Sequence, residues 1–189
     1  MPMIIIFAMV GGMAQFVDGS LGMGFGVTSA TLLTLLGYSA VAASAGTHAA
    51  KMGTTFVSGL AHWREGNVEW RVLLALAVPG TVGAFTGAVI LTNVSLDGAR
   101  IWMAGILLVL GISIILRFAF GKTLIPRMKV RTRNLWPIGL FGGFVDATGG
   151  GGWGPVATPS MMTVTKHEPK KVVGTVNAAE FAVAVAASM

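Results

Sequence analysis

The chain has no cysteine, only 7 aspartates and glutamates in 189 residues, one tyrosine and three histidines. Without cysteine there are no disulfides, no thiolate metal sites and no cysteine nucleophile. Charged residues make up 11% of the chain, whereas a soluble domain of this size needs about a quarter to coat its surface. What fills the space is apolar: 54% of residues are hydrophobic and the mean hydropathy is +0.78. Residues 19–50, 72–96 and 101–116 contain no Asp, Glu, Lys or Arg at all. Runs of this length predict several membrane helices rather than a single anchor.

The 13 Lys and Arg residues give a net charge of +6. In a soluble chain such an excess would suggest nucleic acid, but here it falls largely in the longest polar stretch, 117–133. That placement predicts a cytoplasmic loop under the positive-inside rule and argues against a nucleic-acid partner. The first residues, Met1 to Ile6, have no basic region or cleavage site and read as the first membrane segment. Helices are expected at roughly 3–17, 21–37, 40–61, 71–92, 99–117, 135–147, 153–165 and 170–189. The first, sixth and seventh are expected to be shorter than the roughly 20 residues a crossing needs.

An internal repeat carries the most information. FVDGSLGMGFG at 16–26 aligns without gaps to FVDATGGGGWG at 144–154, an offset of 128 that also pairs Gly46-Thr47 with Gly174-Thr175. An odd number of crossings between the copies predicts that the second is inverted in the membrane. The predicted fold class is therefore an all-α polytopic membrane protein, an inverted repeat with Gly-rich broken or half-length helices and about seven or eight segments. Residues 1–120 form the first repeat, 121–134 a basic cytoplasmic loop, and 135–189 a second repeat that looks truncated. Inverted repeats with interrupted helices recur in secondary transporters.

Chemistry is expected at the Gly-rich breaks, because irregular backbone at membrane depth is tolerated only inside protein or beside a water-filled cavity. Gly22, Gly24, Gly26, Gly150, Gly152 and Gly154 would expose backbone N–H groups at the start of a half-helix, which favours anions; close helix crossing is the plainer alternative. Asp18 and Asp146 either cap the next half-helix or take up protons that couple to solute movement. Lys51, in mid-segment, either neutralises a bound anion or pairs with Asp18 or Asp146. His48 and Asn177 are expected to line the same region. His62 and His167 read as surface residues beside charged loops. The Gly-x-x-x-Gly pair formed by Gly83 and Gly87 reads as ordinary helix packing. There is no His-Glu-x-x-His and no Gly-x-Ser-x-Gly, so no catalytic residue, metal or cofactor is assigned and an enzyme is not expected.

The FVD-small-small-x-Gly-x-Gly-x-Gly element in both halves, the Gly-Thr segment after each copy and the loop HWREGNVEW at 62–70 resemble the sulfite exporter TauE/SafE permeases. The resemblance covers essentially the whole chain. It implies a multi-pass transporter of a bacterial inner membrane, lying in the lipid bilayer, that exports sulfite or a small organosulfonate anion, with protons as a subordinate coupling species. A non-transporting accessory or receptor subunit, or a permease for another solute such as a metal ion, stays open as an alternative.

Overall fold

The computed structural model describes residues 2–120, 135–165 and 168–189. They form eight helices: α1 Pro2–Leu21, α2 Phe25–Leu35, α3 Ala40–Arg64, α4 Trp70–Asn93, α5 Leu96–Phe120, α6 Trp136–Gly149, α7 Trp153–Val164 and α8 Pro169–Ala187. No strand occurs among the described residues. The protein is thus all-α and polytopic, as expected. The basic loop 121–134 lies outside the described residues, as do Lys166 and His167.

α4 and α5 are long and apolar enough to cross a membrane. Along α5, Ile101, Leu108, Val109, Ile112 and Ile115 stand exposed. A soluble protein would not leave such a face in water, whereas lipid accommodates it. Trp63, Trp70, Trp102 and Trp136 are also exposed, suiting the amphipathic indole to a membrane boundary.

α6 and α7 are short, at 14 and 12 residues. The first helix is not: α1 extends to Leu21 and has 20 residues, four residues beyond the expected end. The reason is the backbone of the break. Gly22 (φ 69°) adopts the left-handed conformation after α1, and Gly150 (φ 72°) does the same after α6, a stop that glycine permits without steric cost. Each helix therefore runs on through its aspartate, and Asp18 and Asp146 sit inside α1 and α6 rather than opening α2 and α7.

Glycine also sets how the halves meet. α4 lies against α6, and a Cβ on Gly83, Gly139 or Gly143 would strike backbone atoms of Leu140, Leu76 or Gly80 respectively. A Cβ on Gly87 would meet Phe144 O and the side chains of Ala147 and Thr148. The Gly83/Gly87 pair is therefore helix packing, as read from the sequence. The two breaks touch as well: Gly26 meets the backbone of Gly151, and Gly154 meets Met23. The offset of 128 maps each of these contacts onto the other, so the breaks are related by a local two-fold exchange.

Candidate functional site

Both aspartates reach across their own break to the helix beyond it. Asp18 Oδ1 accepts from Phe25 N at 3.0 Å. Asp146 Oδ1 accepts from Gly152 N at 2.7 Å and Trp153 N at 2.9 Å. Phe25 and Trp153 are the first residues of α2 and α7, each seven positions after its aspartate. These bonds satisfy N–H groups that a helix start leaves without an intrahelical acceptor. Of the two sequence readings for the aspartates, capping is therefore met in both copies. The same bonds occupy the backbone donor of Gly152, which was expected to face a substrate anion, and those of Phe25 and Trp153. Gly24 and Gly152 flank α2 and α7 as their N-cap residues, while Gly26 and Gly154 serve the crossing of the two breaks.

Lys51 stands halfway along α3, 3% exposed, with α6 on one side and α8 on the other. Its Nζ lies 2.7 Å from Asp146 Oδ1 and 2.6 Å from Glu180 Oε1. Asp146 is fully buried, and Glu180 keeps one-tenth of its side chain exposed. His48, one helical turn before Lys51, is also fully buried, with Nε2 3.1 Å from Asp146 Oδ2. Its Nδ1 donates to Ser44 O at 2.7 Å. The Ser44 hydroxyl in turn donates to Ala147 O at 2.8 Å, which ties α3 to the end of α6. Trp153, buried behind the cluster, donates from its indole to Val176 O at 3.0 Å and fixes α7 against α8.

The structure thus gathers His48, Lys51 and Asp146 into one buried ionic network. Asn177 stands apart and donates to Ser58 Oγ at 3.1 Å. Asp18 is half-buried on its own break. Glu180 was missed as a site residue, although the sequence held a signal: it is the sole charged residue in 172–189 and lies one position from the counterpart of Lys51. His62 corrects another expectation. It is half-buried, and its Nδ1 is enclosed without a hydrogen-bond partner, because the loop through Asn67 and the close approach of Gly174 cover it.

A bundle of apolar helices, two glycine-broken and joined by a buried ionic network, defines the class as a polytopic membrane protein. Residues 7–189 match the family described as Sulfite exporter TauE/SafE, and the chain belongs to that family. Two Bacillus subtilis (strain 168) proteins are similar. One, described as "Probable membrane transporter protein YtnM", is 43% identical over 191 residues, which cover 100% of this chain and 64% of that protein. Another, "Probable membrane transporter protein YdhB", is 28% identical over 182 residues, covering 93% of this chain and 71% of that protein. The chain thus spans somewhat less than two thirds of the length of the first of these relatives. No solved structure matches it.

Proposed function

We propose that the chain contributes the substrate-translocating part of a secondary permease that exports a small anion, sulfite or an organosulfonate, across a bacterial inner membrane. The observation that carries this reading is Lys51, a fully enclosed ammonium held between the two halves beside the second break. A buried ionisable group in an apolar bundle marks a solute or proton path more often than a structural need. The two-fold exchange of break contacts supports an inverted repeat, and alternating access is then a rocking of one half against the other about Lys51. The basic loop at 121–134 would face the cytoplasm.

Reconstitution of the chain in proteoliposomes with labelled sulfite tests the proposal. Saturable flux, competed by an organosulfonate and not by chloride, and abolished in a folded Lys51→Met variant, is the expected result. Folded protein that carries neither anion would overturn the anion reading.

A further inference from the structure

Three donors converge on Asp146 Oδ1, namely the Lys51 ammonium, Gly152 N and Trp153 N, and His48 Nε2 lies 3.1 Å from Oδ2. Glu180 shares only Lys51, and this is its one hydrogen-bonding or ionic partner among the described residues. The two carboxylates differ in access as well, since Asp146 is sealed and Glu180 is one-tenth exposed. One ammonium shared by two carboxylates has no charge to spare for an incoming anion. Asp18 lies within electrostatic range as well and adds further negative charge. α4 and α7, which also pack on α8, bring no Asp, Glu, His, Lys or Arg between residues 72–93 and 153–164. The titratable and charged groups acting on Glu180 are therefore Lys51 from α3, Asp146 from α6 and Asp18 from α1, and His48 sits beyond them against Asp146.

We infer that Glu180 is the proton-accepting residue of the site, and that its protonation releases Lys51 to hold a substrate anion. The inference rests on the anion reading above and extends it to the coupling step. A proton from water adds to the Glu180 carboxylate and gives the neutral acid. Lys51 keeps its own proton and its bond to Asp146, and the position on Nζ given up by Glu180 Oε1 becomes available to one anionic oxygen. Proton and anion then enter together without net change of charge, so each strengthens the binding of the other. The Lys51–Glu180 bond also ties α3 of the first half to α8 of the second. Its release loosens the contact that has to slide as the halves rock. Asp146, fixed by its backbone donors, keeps the second break intact throughout.

Infrared difference spectroscopy of the purified chain in lipid nanodiscs, stepped from about pH 8 to about pH 5 with no anion added, reads the protonated carboxyl directly. A buried carboxyl band is expected to appear, to shift when the protein carries carbon-13 glutamate, and to vanish in Glu180→Gln. A band that shifts with carbon-13 aspartate instead, or persists unchanged in Glu180→Gln, would overturn the assignment. Should Glu180→Gln fail to fold, Glu180→Asp serves in its place: the band must return as an aspartate-sensitive one. Adding isethionate, whose own charge does not titrate in this range, is expected to move the wild-type midpoint to higher pH. A glutamate band that titrates but ignores isethionate would leave Glu180 as the proton site and overturn the anion reading alone.

Discussion

Asp146 and Asp18 occupy matching positions in the repeat, yet their surroundings give them different weight. Asp146 is buried and serves an ammonium, an imidazole and two backbone N–H groups. Removing one partner of a buried ion pair strands the other and costs about 3–5 kcal/mol. Asp146→Ala is accordingly expected to lower resistance to thermal unfolding in detergent sharply, as tracked by loss of the monodisperse peak. Asp18 is half-buried and accepts one backbone bond, a task an amide oxygen also performs. Asp18→Asn should therefore cost about 1 kcal/mol or less and leave the same peak nearly in place. Equal losses in the two variants would show that the asymmetry between the breaks has no energetic consequence.

At the scale of the helices, the α4–α6 contact depends on absent side chains. Gly143 faces the backbone of Gly80, so a methyl there must push the helices apart; overpacking of this kind costs about 1–3 kcal/mol. Gly111 on α5 has no heavy atom within 4 Å of the place where a Cβ would stand, and alanine there gains helix propensity of up to about 1 kcal/mol. Gly143→Ala is expected to reduce the midpoint of thermal unfolding, while Gly111→Ala leaves it unchanged or raises it. The reverse order would contradict the packing described for α4 and α6.

For the whole molecule, the question is whether the repeat is inverted across the membrane. Because the chain has no cysteine, single cysteines report sidedness against a silent background. Leu36, at the end of α2, and Glu168, just before α8, are both exposed and bound the corresponding half-helix of each repeat. In intact cells, Leu36→Cys is expected to react with an impermeant maleimide, and Glu168→Cys only after the membrane is opened. Labelling of both from the same face would make the halves parallel and remove the basis for rocking about a two-fold axis.

The helices, the two glycine breaks and the duplication were legible in the sequence because each is local: an apolar run, a glycine cluster, a fixed offset. So was the singular nature of Lys51, since a lone cation within a charge-poor helix stands out by composition. That Asp18 and Asp146 cap the next half-helix was one of two readings the sequence left open, but that they do so from inside the preceding helix was not legible. α1 and α6 end only where a glycine turns left-handed, and each break holds several glycines, any of which could have made that turn. The enclosure of His62 required a loop and a distant glycine to fold over it. A pair of Lys51 with Asp146 was one reading the sequence left open, but the choice of Asp146 over Asp18 and the second contact with Glu180 belong to tertiary structure alone. This arrangement exists because the Lys51 side chain of α3 meets Asp146 of α6 and Glu180 of α8, and close packing of helices far apart in the chain, rather than any local pattern, decides which charges meet.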